Sequence, residues 1–384
     1  MSNKAIKYRI YPTEKQQIYF AKCFGCCRKI YNLMLADKKA SYEATKKFGK
    51  QTPAMYKEKY PYLKEVDSLA LCNVQLHLEK AITNCTNKKR KKRNNFPKFK
   101  SKKKTKKSFT TNNQKPKGKN ETIYFEGNYI NLPKIGLIKL KQHRLPKEGW
   151  KLKSVTISQN SCGEYYTSVL FEFDQEEKTS SPINNVIGLD YASNGLYIDD
   201  KGNIGSKHKF FRESQTKLAR EQRKLSRKQG SKKGEKKSNN YKKQQKKVNR
   251  IYRHIANQRL DNLHKLSTEI ANQYDVVCVE TLNMKAMSNK GFGNGKATLD
   301  NGYGMFLRQL EYKLEDRNKH FIEVDKWYPS SQICHNCGKV HPEMKNLENR
   351  TMLCDCGLTM GRDQNAAINI KKEGLRLLHE GEIA

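Results

Sequence analysis

Between positions 334 and 370 the chain carries two cysteine pairs that run into an acid and a helical pattern, and no other stretch restricts its fold so tightly. Cys334 and Cys337 form a C-x2-C turn, Cys354 and Cys356 a shorter C-x-C pair, and a glycine follows each, Gly338 and Gly357. Paired thiolates at such spacing let one turn aim two sulfurs at a single ion, and a glycine behind each pair permits the tight turn of a zinc knuckle. Because C-x-C is shorter than the usual spacing, His335, His341 or Asp355 could replace one sulfur. Just beyond, Asp363 opens a run through Ala366, Ala367, Ile368 and Ile370 whose apolar residues recur at helical spacing, which puts the acid at or near a helix N-terminus. Taken alone, such an acid is an N-cap.

The charge balance narrows the partner. Lys and Arg number 77 against 38 Asp and Glu, a net charge of +39, and so large an excess calls for a polyanion, nucleic acid first. A membrane surface comes second, but there is no apolar run of about 18 residues and positions 1–11 lack the apolar core of a signal peptide. Eleven cysteines, an odd number that includes adjacent Cys26 and Cys27, fit a reducing compartment and hence a soluble intracellular protein. A chain of 384 residues has room for about two or three domains.

Along the chain, residues 4–12 alternate apolar with basic and stop at Pro12, the pattern of a half-exposed strand. From 13 to about 47, Ile18, Phe20, Phe24, Ile30, Leu33, Met34 and Leu35 predict helices, and 66–82 repeats the pattern, so a helical insert follows the first strand. Residues 88–107 are densely basic with Phe96, Pro97 and Phe99 interleaved, suited to phosphate contact with an occasional stacked base or to a solvated charge run. From Ile123 strands take over. Residues 151–158 and 164–173 alternate strictly around Asn160-Ser161-Cys162-Gly163, a hairpin, and together with the first strand they predict a small β-barrel split by the helical insert. The main boundary falls at 175–181, before Pro182.

The second half opens with strands at 186–190 and 196–199, followed by two long basic helices at 214–227 and 241–274. A buried strand at 275–280 comes next, then a Gly- and Asn-rich loop at 291–304, an amphipathic helix at 303–319 and a short strand at 320–324. Asp190 and Glu280 each end an apolar strand. A carboxylate there is costly to bury unless it is paired or binds a cation, so two of them, with Asp363, imply a shared magnesium site. Two divalent ions held by a few carboxylates activate water and stabilise the leaving oxygen in phosphodiester hydrolysis. The order hairpin, helix, strand, helix, strand matches an RNase H-like nuclease core, an α/β domain beside the α+β first half.

The set Gly188-Leu189-Asp190, Val279-Glu280 with Leu282, Tyr328-Pro329-Ser330-Ser331-Gln332-Ile333-Cys334, and Arg362-Asp363-Gln364-Asn365-Ala366-Ala367-Ile368-Asn369-Ile370 resembles TnpB, the transposon-encoded RNA-guided DNA endonucleases related to compact type V CRISPR effectors. The likeness covers nearly the whole chain, including Phe24-Gly25-Cys26, Tyr31-Asn32, Phe96-Pro97-Lys98-Phe99 and residues 108–113. It implies Asp190, Glu280 and Asp363 as catalytic RuvC ligands of two Mg2+ ions, and Cys334, Cys337, Cys354 and Cys356 as ligands of one structural Zn2+. It implies a wedge β-barrel at 1–12 and 108–181, a helical recognition domain at 13–107, a RuvC domain at 182–326 and 362–384, and a zinc-binding target nucleic-acid-binding insert at 327–361. It further implies a guide RNA derived from the transposon end (omega RNA), a target-adjacent motif read by the protein, cleavage of double-stranded target DNA, no membrane, and a monomer within a ribonucleoprotein of the bacterial or archaeal cytoplasm, associated with the nucleoid. Phe96, Lys98, Phe99, Thr111, Asn112 and Asn113 are candidate nucleic-acid contacts by position. Two other classes fit parts of the pattern: a nucleic-acid-binding regulator on a silent RNase H-like fold, which has no need of three acids, and a strand-joining transposase, which has less need of so much basic surface.

Overall fold

The computed structural model describes residues 2–87, 95–115, 121–174, 182–230, 237–289 and 295–381. The chain divides into two compact units, Met1–Glu176 and Glu177–Ala384. The boundary segment 175–181 and positions 88–94 of the basic stretch lie outside the described residues.

The first unit is built from β1 (Ser2–Tyr11), α1 (Glu14–Thr45), α2 (Ser68–Thr86), β2 (Lys107–Asn112), β3 (Tyr124–Glu126), β4 (Tyr129–Leu132), β5 (Gly136–Lys141), β6 (Lys151–Gln159) and β7 (Tyr165–Phe173). Its seven strands form one sheet in the order β2-β6-β7-β1-β5-β4-β3. The alternation of β1 explains its central place: Ile6, Tyr8 and Ile10 are buried while lysines and arginine lie between them, and both edges are paired, with β7 and with β5. Helices α1 and α2 cover the sheet with Phe20, Ile30, Met34, Leu71 and Leu78. The apolar spacing at 13–47 predicted more than one helix, and the structure has a single one. Thr13 starts it with a capping box, Gln16 donating to the Thr13 hydroxyl at 3.4 Å and accepting from the Thr13 amide at 3.0 Å. The expected barrel is a sheet whose outer strands β2 and β3 share no ladder among the described residues. The segments just past them are stitched instead: Thr122 N–H donates to Gln114 O at 2.9 Å, and Ile123 N–H donates to Asn113 Oδ1 at 2.9 Å.

The second unit contains β8 (Val186–Ala192), β9 (Leu196–Asp199), α3 (Phe210–Arg227), α4 (Asn239–Gln273), β10 (Val276–Glu280), α5 (Met284–Met287), α6 (Gly295–Asn301), α7 (Tyr303–Glu315), β11 (His320–Val324), β12 (Thr351–Leu353), β13 (Thr359–Gly361) and α8 (Arg362–His379). Its main sheet runs β11-β10-β8-β9, with β10 parallel to β8 and β11, and β9 antiparallel to β8. Buried on both faces, β8 and β10 read as continuous apolar runs. Ile187 and Leu189 pack with Leu263, Ile270, Tyr303 and Phe306 of α4 and α7, whereas Val276, Cys278 and Ile322 pack with Ile370 of α8. Strand β8 continues two residues beyond Asp190, because Tyr191 and Ala192 pair with Tyr197 and Leu196 in the hairpin.

Two further expectations are corrected. The Gly- and Asn-rich segment expected as a loop at 291–304 is helical from Gly295, with Ala297, Thr298, Asp300 and Asn301 buried; positions 290–294 are outside the described residues. Tertiary contact overrides the local composition there: Asn301 Nδ2 donates to the carbonyls of Ala192 at 3.2 Å and Ser193 at 3.0 Å, at the end of β8. Helix α3 begins at Phe210 rather than Ser214, since Asp300 accepts from the amides of Phe211 at 3.0 Å and Arg212 at 3.4 Å and so caps it from another helix.

Candidate active site and metal centre

The cysteine pairs converge. The four sulfurs lie within 4.8 Å of one another, with Cys334 and Cys356 at 3.6 Å and Cys337 and Cys354 at 3.5 Å. Four thiolates about 2.3 Å from a tetrahedral zinc stand about 3.8 Å apart, so the cluster has the size of a zinc site. Each pair is closed by its own turn: Gly338 N–H donates to Cys334 O at 2.9 Å, Gly357 N–H donates to Cys354 O at 2.9 Å, and both glycines have positive φ, 79° and 87°. The group that closes to ion size consists of the four cysteines, with no histidine or carboxylate in it among the described residues; Asp355 binds Lys339, and His341 Nδ1 pairs with Glu343 at 2.8 Å. Asn336 Nδ2 reaches the Cys356 sulfur at 3.5 Å.

The knuckle delivers an acid. β13 runs from the second cysteine turn straight into α8, whose first turn carries Asp363. Two amides one turn apart tie that helix back to the first pair: Asn365 Nδ2 donates to Ile333 O at 2.7 Å, and Asn369 Nδ2 donates to Ser330 O at 2.8 Å and Ile333 O at 2.6 Å. Both asparagines are buried, which explains why polar residues interrupt an otherwise apolar helix face.

Asp190 on β8 lies within electrostatic reach of Glu280 at the end of β10 and of Asp363 in the first turn of α8. Asp190 keeps some exposed surface, yet burial raises its carboxyl well above the ordinary range; Glu280 and Asp363 add to the rise, and the Arg362 guanidinium partly offsets it. Burial likewise raises Glu280, against the same arginine. The three acids therefore share one electrostatic field. Unlike the sulfurs, their oxygens do not collapse onto one ion-sized point among the described residues. Oxygen ligands in a partly solvated, mutually repelling group suit hard divalent cations.

The candidate nucleic-acid contacts are not gathered in one place. Phe99 is 54% exposed with the Lys39 ammonium 4.9 Å over its ring, Lys98 is exposed, and Phe96 is partly buried against Phe48. Thr111 is buried and its hydroxyl donates to Asp67, Asn112 accepts from Asn73 at 3.3 Å, and Asn113 holds the strand ends together. Beside them lies a cavity of about 250 Å³ that sequence reasoning missed, lined by Arg28, Asn73, His77, Lys100, Lys107 and Thr110 among others, with no acid in its wall. Burial lowers the Lys100 pKa, and its ammonium rests 3.8 Å over the Tyr31 ring. These residues come from α1, α2, the segment before β2 and β2 itself, so no local pattern could have joined them.

The fold is that of the compact Cas12 class. The solved structure titled "Cryo-EM structure of the Cas12f1-sgRNA-target DNA complex" superposes with a TM-score of 0.53 at 13% identity, covering 94% of this chain and 83% of that one. Family models described as "Cas12f1-like, TNB domain", "Probable transposase" and "Helix-turn-helix domain" match residues 303–370, 168–290 and 1–47, although over the last span the structure has one strand and one unbroken helix. A Streptomyces pristinaespiralis protein named "Putative RNA-guided DNA endonuclease" is 30% identical over 97% of this chain and 89% of its own length. "Putative RNA-guided DNA endonuclease InsQ" of Escherichia coli (strain K12) is 30% identical over 99% of this chain and 94% of its own. The chain belongs to the TnpB family.

Proposed function

We propose that this protein is an RNA-guided endonuclease that cuts double-stranded DNA by metal-assisted hydrolysis at Asp190, Glu280 and Asp363. The observation that carries the proposal is the convergence of the three acids, from two strands and a helix far apart in sequence, at a point where burial and mutual repulsion lift Asp190. Such an arrangement is unfavourable without a cation. The hairpin of β8 and β9, continued by parallel β10 and β11 with helices between, supports the RNase H-like reading of this unit. Bound Mg2+ would activate the attacking water and stabilise the leaving oxygen. The protein's own part is to bring the three carboxylates together and orient them, with the Arg362 guanidinium offsetting part of the cost of charging Asp190 and Glu280. Cys334, Cys337, Cys354 and Cys356 would hold a structural zinc that fixes the start of α8.

The relatives' names and the charge of +39 support a guide RNA and a DNA target as partners. On this reading the guide derives from the transposon end and supplies sequence choice by pairing, while the protein reads only a short motif beside the target. The first unit would serve as wedge and recognition lobe, split at 1–12, 13–107 and 108–181. Its acid-free cavity and exposed Lys98 and Phe99 offer phosphate and stacking contacts. The second unit would carry the RuvC nuclease at 182–326 and 362–384, interrupted by the zinc insert at 327–361.

The test is to purify the protein with its RNA, sequence that RNA, replace its guide portion and assay cleavage in Mg2+. Cleavage should follow the new guide and vanish in Asp190→Ala, Glu280→Ala and Asp363→Ala with target binding retained. Cleavage that ignores the guide, or survives loss of any of the three acids, overturns the corresponding part of the proposal.

A further inference from the structure

Helix α8 lies unusually close to the strand that carries Asp190. A Cβ added to Gly188 would stand 2.1 Å from the carbonyl oxygen of Ala367 and 2.8 and 2.9 Å from the Cβ and amide nitrogen of Lys371. These are helix backbone and its root, which cannot swing aside as a side-chain tip would. Three residues past Lys371 on the same helix the roles reverse, and a Cβ on Gly374 would meet the Cys278 sulfur of β10 at 2.3 Å. The helix is thus seated on the sheet through two glycines, one from each partner.

The first seat lies beside the acids. Gly188 and Asp190 are two apart in a strand and share a face, while Asp363 and Ala367 are four apart in a helix and share a side. The backbone contact at Gly188 therefore sits one step from both members of the Asp190 and Asp363 pair, and its height sets their separation. The second seat is eleven residues beyond Asp363, about 16 Å along the helix at 1.5 Å per residue.

Resting on the nuclease reading above, we infer that Gly188 is a positioning residue of the metal site: its missing side chain sets the distance between the Asp190 and Asp363 carboxylates. Gly374 seats the helix without setting that distance. Alanine at Gly188 lifts the N-terminal half of α8 by about 1 Å, a displacement that can cost about a hundredfold in rate when it separates catalytic groups.

The experiment compares Gly188→Ala with Gly374→Ala in the full protein with its RNA. Three quantities are read: thermal stability in chelator, Mn2+ affinity without target, and the cleavage rate with its Mg2+ midpoint. Both variants overpack the seam between this helix and the sheet and should lose stability, Gly188→Ala more because its clash is with helix backbone. Only Gly188→Ala should weaken Mn2+ binding and raise the Mg2+ midpoint, by about tenfold or more, with cleavage down about a hundredfold and target binding unchanged. Lengthening the acid by one methylene, Asp363→Glu, should harm the wild type yet restore part of the Mn2+ affinity in the Gly188→Ala background, a coupling of opposite sign that general loosening would not produce. Should Gly188→Ala fail to fold, Ala367→Gly keeps the carbonyl that meets Gly188 but loosens the helix backbone that holds it in place, and should raise the midpoint several-fold.

Wild-type metal affinity in Gly188→Ala, or in Ala367→Gly where the first does not fold, overturns the inference. So does a loss in both glycine variants that simply tracks stability. Absence of divalent binding in the wild type, or undiminished binding in Asp363→Ala, sinks the nuclease reading itself and is distinguishable from either.

Discussion

Asp190 illustrates how one residue can serve the site at the expense of the fold. Its raised carboxyl holds a proton at pH values where the unfolded chain, near the ordinary pKa of about 3.9, has released it. Between those two values the native state binds more protons, so the stability of the metal-free protein falls as pH rises and stays reduced above the folded pKa. Asp190→Asn removes the buried charge. In chelator at pH 7.5 it should melt above the wild type, and its melting temperature should fall less between pH 5 and 7.5, while cleavage disappears. A lower melting point than wild type at pH 7.5 would show that the carboxylate is already paired. Thr111 makes the opposite case. Its buried hydroxyl donates to Asp67, and the same carboxylate caps α2 through the Leu69 amide at 3.2 Å. Thr111→Val strands one Asp67 oxygen and should cost about 1–3 kcal/mol in urea unfolding. A purely nucleic-acid role would leave the urea midpoint where it is.

Among the elements, α8 gathers the most obligations. It carries Asp363, completes the core beneath β8 and β10, and is held to the knuckle by Asn365 and Asn369. Cys354→Ser or Cys356→Ser should lower bound zinc, measured by metal analysis, and reduce cleavage without removing any acid, because thiolate binding is coupled to local folding. Active wild-type protein devoid of zinc would refute this. Asn369→Ala should leave zinc bound but break two hydrogen bonds, one of them fully buried, costing about 1–3 kcal/mol and raising the Mg2+ concentration needed for cleavage. Together the two variants separate the metal from the tether that transmits its order to α8. Zinc lost from Asn369→Ala would mean that the tether and the metal cannot be separated in this way.

For the whole molecule the governing quantity is charge. Lys217, Arg220, Arg223, Lys224 and Arg227 on α3, and Lys242, Lys243, Lys246, Lys247 and Arg250 on α4, are exposed, and Glu221 is the acid that α3 and α4 share, accepting from Gln244 at 2.7 Å. A surface so charged binds any nucleic acid at low salt through counterion release. A folded RNA held by shape and stacking should remain bound at salt that strips DNA of arbitrary sequence. Replacing Lys242, Lys243, Lys246 and Lys247 by alanine should lower the slope of log affinity against log salt by about 0.7–0.9 for each phosphate no longer neutralised. An unchanged slope would place the RNA on another face.

The cysteine cluster, the candidate acids and the longer strands and helices were legible in the sequence because their signals are local, whereas β2, α5, α6, β12 and β13 carried no such signal. Cysteine spacing fixes sulfur geometry within one turn, and alternation in β1, β6 and β7 or apolar runs in β8 and β10 fix which faces are buried. Family motifs marked the same acids. What the sequence could not express was decided by contacts between distant segments. Asp300 starts α3 from 89 residues away, and Asn301 on the end of β8 makes a helix of a stretch whose composition reads as loop. That four sulfurs, rather than a histidine or Asp355 among them, close to the size of one ion is visible only in the folded chain. The basic cavity joins residues from two helices and a strand. Gly188 reads locally as one more small residue in an apolar strand, and only the helix laid across it shows that a methyl group there would collide with the Ala367 carbonyl.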